Sequence, residues 1–244
     1  TGMKTVTDFH SHILPNVDDG SRSVEESIAL LRREAAQGIR RVVATPHFYA
    51  HHDAPERFFR RREAAWNRLR EAMEAEPELP KVELAAEVHF FSGMSDSEVI
   101  SQLTFPGKKY MLLEMPPAPW GESMYREMEA IYVKRGITPV IAHIDRYIAP
   151  LRTHGIPRRL AELPVLVQAN GEFFLRRSTS HMALRMLREG RIHLLGSDCH
   201  DLKRRTPNLG AALELIGQRL GPSALREIHS CEKMIFCPSE NHFE

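Results

Sequence analysis

The sequence contains few cysteines: Cys199, Cys231 and Cys237 are its only three in 244 residues, and no two of them have CxxC spacing. An odd number without such pairing argues against a disulfide framework and is typical of a reduced, cytoplasmic protein. Long hydrophobic runs are lacking as well, because no stretch approaches the roughly 18 apolar residues that a membrane span requires. Neither a disulfide-stapled secreted protein nor membrane insertion is therefore expected.

An excess of charge of one sign is also lacking. The 33 Lys and Arg residues nearly balance the 32 Asp and Glu residues, which leaves a formal net charge of +1. Proteins that bind the phosphate backbone of nucleic acids usually carry a basic surface. A nuclease or proofreading module is therefore disfavoured, and no nucleic-acid partner is expected. The composition leaves the oligomeric state open.

Length and composition fit one domain. The 244 residues, 42% of them apolar, are enough to bury a substantial core. No linker, repeat or low-complexity segment divides them, and no signal peptide is recognised. We predict a single domain over residues 1–244, in which Thr1 and Gly2 are interpreted as a tag remnant before Met3.

Short apolar segments alternate with amphipathic ones, which indicates strands alternating with helices. We predict strands over 5–9, 40–45, 82–87, 110–114, 138–142, 164–169 and 193–196. We predict helices over 23–37, 55–76, 96–103, 123–135, 158–163, 180–189, 209–220 and 223–229. The first helix has a possible capping box at Ser23 and Glu26 and a stop at Gly38. About seven such βα units predict an α/β fold with a parallel sheet.

Ionisable residues follow the carboxyl ends of these strands. His10 and His12 follow the first strand, and Asp198 and His200 follow the last. Because residues i and i+2 of a strand point to the same face, each pair can aim two ligands at one point. The other strand ends carry His47, Glu87, Glu114 and His143. In a closed parallel barrel these ends meet on one rim, and imidazole with carboxylate is a ligand set for Zn, Mn or Fe. The pattern predicts a metal-dependent hydrolase.

Six segments, in chain order, carry a resemblance to a known family: DFHSHILPNVDDG, ATPHFY, AAEV, LLEMP, AHIDRY and GSDCH. From about Lys4 to Thr206 the chain resembles the PHP (polymerase and histidinol phosphatase) phosphoesterases. Within them it is most similar to the bacterial manganese-dependent tyrosine-protein phosphatases of capsule and exopolysaccharide loci. The resemblance implies a distorted seven-stranded (β/α) TIM-like barrel that holds three divalent metal ions. Mn is the ion implied, and Fe or Zn would also suit the ligands.

Residue by residue, the resemblance implies three groups of metal ligands. The first group is His10, His12, Glu87 and Asp198; the second shares Glu87 with Glu114 and His143; the third is Asp19, His47 and His200. A bridging carboxylate such as Glu87 suits two-metal hydrolysis of a phosphoester. Asp18 is the alternative to Asp19, because both precede Gly20 in the same loop.

The resemblance also places Arg146 and Arg205 at the substrate phosphate, where a planar guanidinium pairs with phosphoryl oxygens. The family usually has Pro-Glu before the first arginine, whereas this chain has Ile144 and Asp145, which can change how Arg146 is held. The implied reaction is hydrolysis of phosphotyrosine by attack of a metal-bound hydroxide. The implied partner is a phosphotyrosine protein, namely the tail of a bacterial tyrosine kinase, in the control of capsular or exopolysaccharide synthesis.

Two alternative functions use the same fold. A small-molecule phosphatase of the histidinol-phosphate or sugar-phosphate type would need the same ligands, so only substrate comparison separates it from a protein phosphatase. A non-catalytic regulatory PHP domain would tend to lose ligands, and every expected ligand is present here.

A few other residues invite a functional interpretation. Cys199 and Arg205 have the C-x5-R spacing of cysteine-dependent phosphatases, but no glycine lies between them to form a phosphate-binding loop. We interpret Cys199 as a buried thiol. His51 and His52 follow His47 and are either substrate-side groups or solvated loop residues. The other histidines are interpreted as ordinary surface or core residues: His89, His154, His181, His193, His229 and His242.

Overall fold

The computed structural model describes residues 6–148 and 155–236. Its strands are β1 (Val6–Ser11), β2 (Ile39–Ala44), β3 (His47–Phe48), β4 (Lys81–Leu84), β5 (Glu87–His89), β6 (Tyr110–Glu114), β7 (Thr138–Ile141), β8 (Leu166–Asn170) and β9 (Leu194–Gly196). Its helices are α1 (Val24–Ala36), α2 (Pro55–Met73), α3 (Glu122–Arg135), α4 (Asp145–Ile148), α5 (Gly155–Leu160), α6 (Gly171–Leu175), α7 (Ser180–Arg188), α8 (Leu209–Leu220) and α9 (Pro222–Phe236). Two 3₁₀ helices span Met94–Asp96 and Glu98–Gln102. The interpretations of Thr1, Gly2, His154, Cys237 and His242 lie outside the described residues.

The strands form two parallel sheets, one ordered β1-β2-β4 and the other β3-β5-β6-β7-β8-β9. Two backbone hydrogen bonds join β1 to the residues after β9: His12 N–H donates to Cys199 O (2.9 Å), and Asp198 N–H donates to His10 O (2.7 Å). Parallel strands joined by helices confirm the predicted α/β class. The pairing also brings the carboxyl ends of the first and last strands together.

The predicted strand over 82–87 is interrupted: β4 and β5 belong to different sheets. A similar break separates β2 from β3 at Thr45 and Pro46. Pro46 has no N–H to donate to a neighbouring strand, which favours an interruption there. Backbone hydrogen bonds still join the two chain segments at the break, from Ala85 N to Ala44 O (2.9 Å) and from Glu87 N to Pro46 O (3.1 Å).

Helix α1 begins where its sequence predicted. The Ser23 hydroxyl accepts a hydrogen bond from Glu26 N (3.2 Å), which caps the helix. The Glu26 carboxylate accepts from Arg22 N (2.8 Å) rather than from Ser23 N, so only half of the predicted capping box forms. Ile28 and Leu31 are buried, and they fix the helix against the sheet.

Other predicted boundaries need correction. Helix α2 ends at Met73 rather than at residue 76, and the two 3₁₀ helices, within residues 94–102, replace the helix predicted over 96–103. Helix α5 lies three residues earlier than predicted, and α9 extends to Phe236. Helices α4 and α6 were not predicted, because four or five residues are too few to show a 3.6-residue apolar period. Helix α6 directly follows β8, and α4, which carries Arg146, begins at Asp145 after β7 has ended at Ile141. No helix among the described residues is long and apolar enough to cross a membrane.

A buried apolar layer lies on the inner face of the strands. It includes Phe9, Val43, Leu112, Val140 and Leu194, each from a different strand and each at most 2% exposed. Leu112 lies two residues before Glu114 on β6, so the two side chains share a face. The inner face is thus apolar along the strands and ionisable at their carboxyl ends, where the polar residues need partners.

Candidate active site

The Glu87 carboxylate lies at the centre of the ionisable residues. Its Oε2 atom is 3.2 Å from Nε2 of His10, 3.3 Å from Nε2 of His12 and 3.0 Å from Nδ1 of His47. Its Oε1 atom is 2.8 Å from Nε2 of His143. Four imidazoles, two from the end of β1 and one each from β3 and the end of β7, therefore converge on one side chain that is 1% exposed.

The first and last strands contribute a second convergence. Oδ1 of Asp198 lies 3.5 Å from Nε2 of His10 and 3.4 Å from Nε2 of His12. These two ring nitrogens are only 3.2 Å apart. The far side of each ring is held: Nδ1 of His10 lies 3.1 Å from Oε1 of Gln168, and Nδ1 of His12 lies 2.7 Å from Oδ2 of Asp18. Both rings are thus oriented with Nε2 facing Asp198 and Glu87.

The loop after β1 separates the roles of its two aspartates. Asp18 is surrounded by donors, since it accepts from His12 Nδ1, Gly20 N (2.9 Å) and His47 N (3.0 Å). Asp19 is exposed, and its Oδ1 lies 3.4 Å from Nε2 of His47 and 3.3 Å from Nε2 of His200. The loop returns close to His12, because a Cβ on Gly20 would lie 2.2 Å from the His12 carbonyl oxygen. Asp19 therefore faces His47 and His200, while Asp18 supports His12 from behind.

Glu114 completes the group on the side of β6. Its carboxylate lies 3.6 Å from Nε2 of His143, 3.9 Å from Nδ1 of His47 and 3.2 Å from Nδ1 of His89. The contact with His89 corrects the interpretation of that residue as an ordinary histidine. His89 is at the end of β5, two residues after Glu87, so the i, i+2 pattern seen at His10 and His12 could have identified it.

The backbone is strained at two of the predicted ligands. His143 has φ 31° and Asp198 has φ 54°, a left-handed region that residues with a Cβ seldom adopt. Such conformations cost on the order of 1–3 kcal/mol and tend to occur at functional sites. Close packing adds to the constraint, because a Cβ on Gly196 would lie 2.5 Å from the Cβ of His10. The fold thus holds these strand ends in positions that relaxed chains would avoid.

Both predicted phosphate-binding arginines reach the same carboxylate. Arg146 donates to Oδ2 of Asp198 at 2.5 Å, and Arg205 lies 2.6 Å from its Oδ1. Arg205 also contacts Nε2 of His200 at 2.7 Å. Asp145, which stands where the family usually has Glu, lies at the start of α4. Its Oδ1 accepts a hydrogen bond from the backbone N–H of Asn170 (3.1 Å) at the end of β8.

Electrostatics keep the acidic groups of this site ionised. Burial alone would raise the pKa of Glu87, but the neighbouring imidazoles, His10 first, hold that pKa well below its usual range. Burial likewise opposes ionisation of Asp198, yet the charges of His10 and Arg146 keep its pKa well below the usual value. Hydrogen bonding to His200 and His47 lowers the pKa of Asp19. The carboxylates can therefore act as anionic ligands at neutral pH.

The residues fit divalent cations. Oε2 of Glu87 and Nδ1 of His47 are buried, and neither has a hydrogen-bond partner among the described residues. Imidazole nitrogens and carboxylate oxygens that face one another at about 3.5 Å without a hydrogen bond between them could instead bind one shared cation. Ligand atoms lie within 4.8 Å of one another in three groups here: His10, His12 and Asp198; His12, Asp19, His47 and His200; and His47, Glu87 and Glu114. The second of these groups contains the predicted third set, Asp19, His47 and His200, together with His12. The last group contains Glu87 and Glu114 of the predicted second set, but with His47 in place of His143.

Sequence reasoning missed two supporting side chains on β8. Gln168 contacts His10 and also accepts from His143 N (2.7 Å), and Asn170 donates to Oδ2 of Asp198 (3.0 Å). They lie at i and i+2 at the end of a strand, which is the signal that identified the histidines. The sequence pattern used above selects only imidazole and carboxylate side chains, so it does not select the neutral amides of Gln168 and Asn170.

Cys199 and the two rim histidines lie where the sequence suggested. Cys199 is fully buried, and burial raises the pKa of its thiol well above the usual value, which makes it a poor nucleophile. His51 and His52 are exposed and line a cavity of about 360 Å³ with Tyr49, Phe90 and Phe91.

Several known proteins are similar to this chain over most of its length. A family model described as "Capsular polysaccharide synthesis, CpsB/CapC" matches residues 6–235. The tyrosine-protein phosphatase CpsB of Streptococcus pneumoniae is 29% identical over 236 residues, which cover 91% of this chain and 93% of that protein. The tyrosine-protein phosphatase YwqE of Bacillus subtilis is 27% identical over 225 residues, which cover 88% of this chain and 85% of that protein. A structure solved in work on YwqE from B. subtilis and CpsB from S. pneumoniae, described as metal-dependent tyrosine phosphatases, superposes with a TM-score of 0.82 at 24% identity and covers 95% of this chain and 94% of that chain.

Proposed function

The chain belongs to the CpsB/CapC family of capsular polysaccharide synthesis, and from this premise we propose that it is a metal-dependent phosphatase that hydrolyses phosphotyrosine in proteins. One observation supports the proposal independently of sequence similarity. Four imidazoles converge on the buried Glu87 carboxylate, and Arg146 and Arg205 contact the neighbouring Asp198. This arrangement suits charge stabilisation of a phosphoryl group.

Three divalent cations, with manganese as the main candidate, are part of the proposal. His10, His12, Glu87 and Asp198 would hold one; Glu87, Glu114 and His143 the second; Asp19, His47 and His200 the third. The exposure of Asp19 and the saturation of Asp18 by three donors support Asp19 as the ligand. Bound there, the cations would supply Lewis-acid charge and lower the pKa of nearby water.

The residues of the chain have separate tasks. Arg146 and Arg205 would bind the phosphoryl oxygens and neutralise charge that grows as the phosphorus is attacked. Asp198 now holds both guanidinium groups in place, so they are already oriented before substrate arrives. Asp18 and Gln168 orient the rings of His12 and His10. No side chain is required to form a covalent bond to phosphorus.

The remaining parts of the proposal concern architecture and partner. We take β2 with β3, and β4 with β5, as two interrupted strands, so that seven strand positions form a distorted barrel within a single domain. The hydrogen bonds between β1 and the residues after β9 support this closure. The partner would be a phosphotyrosine protein of capsule or exopolysaccharide synthesis, with a kinase tail as the first candidate.

Metal removal and restoration test the function. The protein is stripped with a chelator, and its activity on a phosphotyrosine peptide, a phosphoserine peptide and histidinol phosphate is measured as Mn²⁺, Fe²⁺ or Zn²⁺ is added back. We expect no activity in the stripped protein and restored activity that favours the phosphotyrosine peptide. Full activity without metal would refute the metal dependence, and a preference for histidinol phosphate would indicate a small-molecule phosphatase.

A further inference from the structure

A cavity beside the site contains two arginines in addition to the two predicted to bind phosphate. It has a volume of about 740 Å³ and includes Arg146, Asp198 and Arg205 of the site. Its outer part is lined by Arg176 and Arg204, and we call the whole the arginine cavity. Cavities of roughly 300–1,000 Å³ hold drug-sized ligands, so this one has room for more than the phosphorylated ring of one tyrosine.

The outer arginines are available to a ligand. Arg204 is exposed. Arg176 donates to Glu172 at 2.6 Å, but both side chains are more than 60% exposed. An exposed ion pair of this kind contributes little to stability, so Arg176 can exchange Glu172 for another carboxylate at little cost.

Two neighbouring cavities differ in charge. The cavity of about 360 Å³ that contains His51 and Phe91 has no arginine in its lining. Another, of about 390 Å³, contains Arg57 and Arg61, but both already pair with Asp53 at 2.8 and 2.7 Å. Of these three cavities, the arginine cavity is therefore the one lined by more arginines than acidic residues. Its four arginines face three acidic residues, Asp145, Glu172 and Asp198.

Because this cavity has an excess of arginines and also contains Arg146 and Arg205 of the site, we infer that it binds acidic residues that flank the phosphotyrosine of the substrate. Clusters of arginine recognise acidic and phosphorylated segments through charge-assisted hydrogen bonds. A carboxylate on either side of the phosphotyrosine would contact Arg176 or Arg204 while the phosphate contacts Arg146 and Arg205. The inference rests on the proposed function, and it narrows the substrate class to phosphotyrosine in an acidic segment.

Two peptides of equal length test it, one with Asp and Glu around phosphotyrosine and one with Asn and Gln. We expect kcat/KM of the Mn²⁺-loaded enzyme to be about tenfold higher for the acidic peptide, which is about 1.4 kcal/mol shared by two exposed charge contacts. This preference should shrink at high salt, because exposed charges are screened. In the double variant Arg176→Glu/Arg204→Glu the ratio should fall to one or below. Arg188→Glu, a charge reversal on the exposed face of α7, should leave the ratio unchanged.

A binding measurement separates failure of this inference from failure of the proposed function. Fluorescence anisotropy of the same two peptides, labelled and unphosphorylated, reports on the cavity without catalysis. Tighter binding of the acidic peptide, lost in the double variant, supports the inference even if no phosphotyrosine is hydrolysed. Equal kcat/KM or equal affinity for both peptides in the wild type would overturn it, and so would a double variant that keeps the preference.

Discussion

His12 and Asp18 share a hydrogen bond of 2.7 Å between Nδ1 of the ring and Oδ2 of the carboxylate. The same oxygen accepts the backbone N–H of His47 at 3.0 Å. One carboxylate thus fixes the ring of one predicted ligand and the backbone of another. Partners of this kind set which ring nitrogen is free to bind a metal.

Asp18→Asn should therefore weaken metal binding without removing a ligand. Loss of such a partner costs roughly 10–100-fold in metal affinity. We expect a higher Mn²⁺ concentration for half-maximal activity and near-normal activity at saturating Mn²⁺. Titration calorimetry with Mn²⁺ measures the affinity directly. An unchanged affinity would remove Asp18 from this role.

Glu87→Ala should be more damaging than Asp19→Ala. Glu87 lies within 3.3 Å of four imidazoles, whereas Asp19 approaches only His47 and His200. The first variant should lose metal from two positions and the second from one, as counted by mass spectrometry of the folded proteins. Circular dichroism controls for folding. A Glu87→Ala protein that retains three ions would show that Glu87 is not a bridging ligand.

Arg205→Ala and Arg146→Ala should keep metal and lose rate. Each removes a charged donor that acts most strongly as charge builds on the phosphoryl group, so kcat should fall on the order of 10²-fold, about 3 kcal/mol. Inhibition by inorganic phosphate should weaken as well. Unchanged kcat/KM and unchanged phosphate inhibition in either variant would exclude that arginine from phosphate binding.

Cys199→Ser should retain activity within a few-fold of the wild type. Its thiol is fully buried, and burial raises its pKa, so it has neither the access nor the charge of a nucleophile. Activity and metal content are measured together in the variant. A loss of about a thousandfold with normal metal content would indicate covalent catalysis by the cysteine.

Glu232 on α9 should make stability depend on pH. Burial raises its pKa to about 7 from an ordinary value of 4.5, and the carboxylate accepts from Thr7 N at 3.1 Å. The folded protein then binds this proton more tightly than the unfolded chain does, so the contribution of Glu232 to stability is fully present below about pH 4.5 and is lost as the pH rises to about 7. The full effect is up to about 3 kcal/mol. Glu232→Gln should show a smaller drop in Tm between pH 5 and pH 8 than the wild type, and an equal drop would contradict the shift.

Most residues of the candidate site could be predicted from the sequence, because their signals are local. An i, i+2 pair at a strand end, such as His10 with His12 or Asp198 with His200, needs only the alternation of a strand to point both side chains one way. Motif spacing then related the pairs to a known family. The element types were predictable for the same reason, because a helix such as α1 has its cap at Ser23 and its buried residues Ile28 and Leu31 close together in the sequence.

What the tertiary structure decided are the relations between distant segments. Asp18 and Asp19 are adjacent acids in one loop, and only the folded positions of His12, His47 and His200 show which of these histidines each acid contacts. The sequence alone determined which ionisable side chains the chain has. It also determined at which strand ends they lie, because strand positions follow from the local pattern of apolar residues. Their partners, and the placement of Arg176 and Arg204 beside the site, depend on contacts between residues far apart in the chain, which only the folded packing brings together.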